Sequence, residues 1–497
     1  MNFIVFYKNS GFPLFKSGSN KVEIRKRKQF CAVLDADSAY LAKAENWNDQ
    51  YFTDLETEGG YYASALDKLF KKKSLGLRKE RSLICAITTS TERAMQLVGE
   101  PGSGKSLALR HLAKQLSEQG KKSNDNSATI PLYINLREME LENNGDINVD
   151  TVKEFILDNI RRGDADTSAF VRDNWDDYTA RGLWLFLFDS FDEIPAVLHA
   201  EAGSSIIKIY SKALRQFLEG MGECKGILAS REFKGPEALP WNKLRILPLT
   251  DAKQDELIHN SFLSTENMGI VRRHLANSHS SIGATPLFLT LLCRYVRDEN
   301  TSPNNDYDNL FKHIDRLAHR APEYFHRKYN LKPDEILIGA ERLARLFAED
   351  DDISLAPTLD QIKDKLQIED IPGGSIEKLV SSLVDAKIGR ADVPNAFPGE
   401  RRFAFAHRRY QEALFVRYLT THPEHISLKD LLTDIRWREY TVTLLQTREY
   451  DEFSDLLSQA SLILSQCAKK DSYQSYQQPP LPPNLGYYDW ADEIAVR

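Results

Sequence analysis

The octet Gly99-Glu100-Pro101-Gly102-Ser103-Gly104-Lys105-Ser106 constrains the fold of this chain more than any other stretch. It fits the spacing of a phosphate-binding loop, which works only where a buried strand runs into a helix. The apolar run Ala94 to Val98 precedes it as such a strand, and Ser106 to Leu116 follows with helical periodicity. Gly99, Gly102 and Gly104 let the backbone curl until its N–H groups point inward at an anion. Lys105 is placed to reach β- and γ-phosphates, and the Ser106 hydroxyl to ligate Mg²⁺. The ligand expected from this loop is a nucleoside triphosphate.

An ATP site needs a second, acidic element to hold the metal and orient water. Leu183 to Glu193 supplies it: six apolar residues, then Asp189-Ser-Phe-Asp192-Glu193. Such a run predicts a central strand buried on both faces, as parallel sheets require. Its carboxylates then emerge at the C-terminal end, where open α/β sheets bind ligands. Asp189 is the expected Mg²⁺ partner, with Asp192 and Glu193 one turn on to position or deprotonate water. A further short strand, Gly226 to Ser230, ends in Arg231, whose planar fork suits phosphate oxygens. Ile130 to Leu136, followed by Arg137, reads as another parallel strand. Strand–helix alternation from 94 to 248 predicts an α/β, doubly wound parallel sheet of the P-loop NTPase type.

Composition removes several other classes. The 497 residues allow about three domains. The longest apolar run, Leu183 to Phe188, is too short to span a bilayer, and Met1 to Tyr7 lacks a basic start and a small-residue cleavage site. Five scattered cysteines without metal spacing (Cys31, Cys85, Cys224, Cys293, Cys467) read as reduced thiols. With a net charge of −7, a soluble cytoplasmic protein without a membrane partner is expected. Lys21 to Lys28 and Lys68 to Arg81 are basic, which can mark a nucleic-acid face but more often a solvated helix. No aromatic interleaving accompanies them, so nucleic acid stays an open but unfavoured partner.

The loop at 99–106, the Ile130–Arg137 strand, the Asp189–Glu193 box and Ala229-Ser-Arg231 together resemble the successive motifs of NACHT domains, members of the STAND class of signalling ATPases. The spacing within the acidic box is the most diagnostic part. Ile246 to Leu257 resembles the entry to that family's helical domain. Gly283-Ala-Thr-Pro286 resembles the motif whose proline packs near adenine. Residues 331 to about 421 resemble a winged helix, with helical patterns at Asp334–Phe347, Thr358–Leu366 and Ser375–Ala386 and a hairpin over Ile388–Ala406 turning around Pro394–Gly399. The string Phe405-Ala-His407 to Glu412 resembles a signature in which the histidine holds the phosphates of bound ADP and keeps the molecule closed.

The resemblance implies an ATP/ADP-dependent switch with slow hydrolysis as reset, forming a homo-oligomer on activation, in a bacterial-style defence or stress response. A separate effector or sensor protein would then be a partner. It also implies boundaries: 1–90 of unknown role, 91–250 nucleotide-binding, 251–330 helical, 331–425 winged-helix lid, 426–470 a short helical segment and 471–497 a flexible tail. The resemblance spans about 90 to 440. Two other functions are weighed against it: a winged-helix transcriptional regulator, for which Ser375–Ala386 is a nearly neutral recognition helix, and an AAA-type motor, which would hydrolyse ATP rapidly as a constitutive ring.

Overall fold

The computed structural model describes residues 16–44, 52–60, 77–125, 127–139, 147–160, 165–198, 200, 203–231, 235–236, 239–277, 284–303, 308–350, 352–366, 371–391, 401–447 and 454–474. They fall into two compact units, Met1–His422 and Pro423–Arg497.

The first unit opens with helix α1 (Lys16–Ala44), strands β1 (Thr57–Gly60) and β2 (Leu77–Glu80), and helix α2 (Leu83–Thr89). The alternating region follows: β3 (Ala94–Val98), α3 (Lys105–Lys122), β4 (Ile130–Asn135), α4 (Val149–Asn159), α5 (Ala165–Ala180), β5 (Trp184–Asp189), α6 (Ser205–Gly220), β6 (Lys225–Ser230) and β7 (Asn242–Ile246). The seven strands form one sheet in the order β2-β1-β7-β3-β6-β5-β4. Five are parallel, whereas β1 runs antiparallel to both β7 and β2. The expected parallel sheet therefore carries an antiparallel edge, built from short polar strands upstream of residue 90.

Strand β5 explains why the sheet is buried on both faces. Trp184, Phe186 and Phe188 point into an aromatic core with Trp175, Tyr178 and Phe217 from α5 and α6. Leu185 and Leu187 point the other way, against Leu97 of β3 and Leu109 and Leu112 of α3. The two-residue pleat thus divides one apolar run between two cores. Each fully buried side chain of this size contributes roughly 1.5–3 kcal/mol relative to exposure. Register then sets the site: Val98 lies beside Ser230, and Asn135 beside Asp189, so the C-terminal strand ends form one rim. Because β6 lies between β3 and β5, the residue after Ser230 enters between the phosphate loop and the acidic box.

Helix α1 packs along α3 and α5. Its buried Arg27 donates to the carbonyls of Ser123 (2.8 Å) and Asp125, and Lys121 pairs with Asp35 at 2.5 Å. Downstream lie α7 (Asp251–Asn260), α8 (Thr265–Asn277) and α9 (Pro286–Glu299). Their Leu257, Val271, Leu289 and Leu292 join the core that β3 faces.

The remainder of the unit is α10 (Asp308–His319), α11 (Pro322–Tyr329), α12 (Pro333–Glu349), α13 (Leu359–Lys365), α14 (Ile376–Ala386), β8 (Gly389–Ala391), β9 (Phe403–Phe405) and α15 (Arg408–Thr421). Thr358 opens α13 with a capping box: its hydroxyl accepts from the Gln361 N–H, and its own N–H donates to the Gln361 side chain. Strands β8 and β9 pair antiparallel, and Phe347, Phe403 and Phe405 pack edge to face at 5.5–6.1 Å. The turn expected around Pro394–Gly399 lies outside the described residues, as do Gly283 and Lys68 to Ser74. Helix α15 packs against α12 and α10.

The second unit contains α16 (Leu428–Thr433), α17 (Arg438–Thr447) and α18 (Ser454–Gln474). Trp437 and Tyr440 are buried in it, with ring centroids 5.8 Å apart. Helix α18 continues through Gln474, past the 471 boundary drawn for a flexible tail, and the residues beyond lie outside those described.

Candidate functional site

The phosphate loop has the backbone that its glycines allow. Gly102 and Gly104 adopt φ of 82° and 94°, in the left-handed region that side chains avoid. Gly104 precedes α3 with no side-chain cap, so the first N–H groups of the helix stay available to an anion. Lys105 Nζ donates to the carbonyls of Gly99 (2.6 Å) and Glu100 (3.1 Å). Burial lowers the pKa of this ammonium; Asp192 opposes the shift, Arg231 adds to it and Asp189 again opposes. The loop also meets helix α9: the Leu287 N–H donates to Gly102 O at 3.4 Å.

Asp189 ends β5, and Ser190 turns the chain with φ of 63°. A left-handed non-glycine residue is strained, which explains why a small side chain stands here. The turn places Asp192 and Glu193 in a buried 3-10 segment. Tyr133 of β4 donates its hydroxyl to Asp189 Oδ2 at 2.6 Å. Asp189 Oδ1 is buried with no hydrogen-bond partner. A buried carboxylate oxygen left open costs free energy unless something else completes it, and a hard cation suits an oxygen donor. Among the described residues no cluster of three His, Cys, Asp or Glu side chains could hold a metal alone. A cation here would therefore be shared with ligand oxygens and water, as Mg²⁺ prefers.

The carboxylates of the box are each matched by a guanidinium. Arg137 Nε lies 3.1 Å from Glu193 Oε2, yet neither atom is hydrogen-bonded. Burial would raise Glu193, but Arg137, Arg408 and Arg231 outweigh it and hold the carboxyl below its ordinary pKa. Asp192 Oδ1 accepts the backbone N–H of Arg231 at 2.9 Å, and its Oδ2 pairs with Arg231 Nε at 3.1 Å. Burial shifts Asp192 upward, against the pull of Arg231.

The far side of Arg231 reaches a residue 181 positions away. Its Nη2 donates to Glu412 Oε1 at 3.3 Å. Glu412 belongs to α15 and is fully buried, and it also accepts from Arg408 Nε (3.2 Å) and Arg409 Nη1 (2.8 Å). Burial opposes its ionisation, but Arg409, Arg231 and Arg408 bring its pKa down to about 2. Arg390 of β8 adds positive charge near Arg137. Five guanidiniums thus gather around the carboxylates of Asp192, Glu193 and Glu412, an excess of positive charge beside a phosphate loop. His407 stands at the head of α15, where its Nδ1 accepts the Arg409 N–H at 3.0 Å as a helix cap.

An apolar cleft of about 20 Å³ adjoins the loop, lined by Phe52, Leu55, Leu107, Leu249, Leu257 and Pro286 among others. That is room for about one water, so a base would have to widen it. Phe52 stacks on His111 of α3 with ring centroids 3.7 Å apart.

Comparison with protein families matches residues 93–260 to the NACHT domain. This span contains the loop, the acidic box and Arg231. Residues 93–260 are a NACHT domain, a P-loop NTPase domain. No curated protein matches the chain. Among solved structures, Drosophila ORC bound to DNA aligns at 13% identity over 65% of this chain and 80% of its own, with a TM-score of 0.27. The Aeropyrum pernix ORC2 protein aligns in its ADPNP-ADP complexes at 12% identity over 65% and 87% (TM-score 0.28), and in its ADP form at 12% over 67% and 89% (0.27). Overlaps at these scores say nothing about what this chain binds.

The NACHT strand ends bring Gly99–Ser106, Asp189, Asp192, Glu193 and Arg231 to one rim, and Pro286 lies beside Gly104. His407 caps its own helix, while from α15 Glu412 pairs with Arg231 and the charge of Arg408 acts on Glu193. Tyr133 and Phe52 went unread in the sequence. Tyr133 had a signal, since its two-residue offset from Asn135 puts both on one face of the strand at the acidic box. Phe52 had none, lying in a short segment without period.

Proposed function

We propose that this chain is an ATP/ADP-dependent switch whose winged-helix region, residues 331 to about 421, is a lid. The observation that carries the reading is Arg231, shared between Asp192 of the nucleotide domain and Glu412 of α15. One guanidinium thereby senses both the ligand rim and the lid. Polyphosphate would lie across the N–H groups of the loop and the N-terminus of α3, with Lys105 released from the carbonyls of Gly99 and Glu100. Asp189 and Ser106 would hold Mg²⁺, which neutralises charge developing on the phosphates. Glu193 is the better placed base of the box, because Arg137 keeps it ionised without a hydrogen bond. Asp192 is committed to Arg231. The cleft beside Pro286 is the expected base pocket.

Lid closure by one such contact is reversible. A hydrogen bond to a charged group contributes about 1.5–3 kcal/mol, whereas inverting a 1:99 population takes about 5.5 kcal/mol. Packing of α15 on α10, which lies outside the lid, must supply the rest of the closed state, since α12 is part of the lid itself. The resemblance to STAND proteins further supports slow hydrolysis as reset, assembly on activation and a regulatory role in defence or stress. Lys105→Ala tests the site. Binding of fluorescent ADP and ATP to the full chain is expected to vanish, and unchanged affinity would overturn the assignment. Mass photometry in ADP and then ATP tests assembly, where identical masses would remove it.

A further inference from the structure

Glu412 is the most heavily paired carboxylate of the site, and the proposed hydrolysis gives it no direct step. It is fully buried and accepts from three guanidiniums. Two of those, Arg408 and Arg409, lie three and four residues before it on the same helix, where side chains share a face. They travel with it. Arg231 alone belongs to the nucleotide domain, and its contact at 3.3 Å is the longest of the three.

This asymmetry decides what can happen when an anion arrives. If α15 withdraws, Glu412 keeps its own two counterions and leaves no bare charge, which would otherwise cost several kcal/mol. Arg231 keeps Asp192 through Nε and its backbone N–H, and only the Nη2 side of its fork is vacated. Arg231 directly follows β6, which emerges between β3 and β5, so the vacated donor belongs to a residue at the rim that the phosphate loop and the acidic box share. A carboxylate and a terminal phosphoryl group are alternative acceptors for the same planar donor. A diphosphate has no group to offer there.

We propose that Glu412 is a built-in competitor for the terminal phosphate, occupying the Arg231 fork and so setting how strongly the site prefers ATP to ADP. The proposal rests on the nucleotide-switch reading above and adds its discriminating residue. Glu412 touches neither substrate nor metal; it acts through Arg231 and is a positioning residue. Its removal should raise ATP affinity and leave ADP affinity nearly unchanged, a split that general loosening of the fold would not produce.

The test measures fluorescent ATP and ADP binding to the full chain in the presence of Mg²⁺. Glu412→Gln is expected to raise the ATP-over-ADP affinity ratio about tenfold, the effect of losing one charge-assisted competitor. Arg231→Gln should lower that ratio, and adding Glu412→Gln to it should change nothing more, since both act on one contact. An unchanged ratio in folded Glu412→Gln, or an additive double variant, overturns the proposal. Should Glu412→Gln not fold, Glu412→Asp keeps the charge on a side chain one methylene shorter. A ratio raised about threefold or more would support the proposal, and no change would refute it. Lys105→Ala separates the two layers. Loss of binding there with an unmoved Glu412→Gln ratio refutes only the competitor, whereas retained binding refutes the nucleotide site itself.

Discussion

Replacing Tyr133 with Phe tests the proposed metal site at Asp189 without touching the phosphate loop. The ring keeps its packing, but Asp189 Oδ2 loses the hydroxyl that donates to it at 2.6 Å, and Oδ1 already has no partner. The variant therefore leaves a 2% exposed carboxylate without a hydrogen bond. Bonds to charged groups contribute about 1.5–3 kcal/mol. At about 2.1 cal/mol/K of unfolding entropy per residue, a unit the size of Met1–His422 moves its midpoint by about 1 °C per kcal/mol, so the free protein should melt roughly 2–3 °C lower. Saturating ATP with Mg²⁺ should narrow that gap, because a cation at Asp189 replaces what the phenol supplied. ATP with EDTA should not. Calorimetry of the parent and Tyr133→Phe in the three conditions, at one scan rate, makes the comparison. An equal drop in all three would refute the reasoning, since Tyr133 would then be a packing residue with no bearing on a metal.

Two further outcomes follow from the charges of the site. Glu193→Gln is expected to retain bound ATP while phosphate release falls by about 10²–10⁴, the usual contribution of a general base; normal turnover would move that role to another residue. Acid should act through Glu412, whose pKa lies at about 2 in the folded chain against an ordinary 4.5. A depressed carboxyl stabilises fully above 4.5 and loses that contribution as pH falls toward 2. The melting midpoint of the parent should therefore drop more steeply below pH 4.5 than that of Glu412→Gln, and superimposed acid limbs would contradict the burial of the charge.

Much of the nucleotide rim was legible in the sequence because its chemistry is local. The glycine spacing at 99–104 and the Asp189–Glu193 box each encode a backbone path and its donors within a few residues. Leu183 to Phe188 announced a doubly buried strand by unbroken hydrophobicity. The antiparallel edge was not legible: Thr57–Gly60 and Leu77–Glu80 are short and polar, with no alternation to mark a strand. Nor was the reach from Arg231 to Glu412, since contacts between residues 181 apart depend on how α15 packs rather than on any spacing. His407 carried the family signature in the sequence. In the structure that signature's glutamate makes the reach, and the histidine closes the first turn of its own helix.

The segment from Phe52 to Leu55 supplies one wall of the cleft, and Leu107, Leu249, Leu257 and Pro286 supply the others. Leu55 also lies 3.2 Å from where a Cβ on Gly104 would stand, and its carbonyl accepts the Leu83 N–H. A fragment cut to the matched span would keep the phosphate loop yet lose both the Phe52–Leu55 wall and Pro286, opening the cleft to water on two sides. A fragment that keeps this cleft closed must begin ahead of residue 52 and run past residue 286.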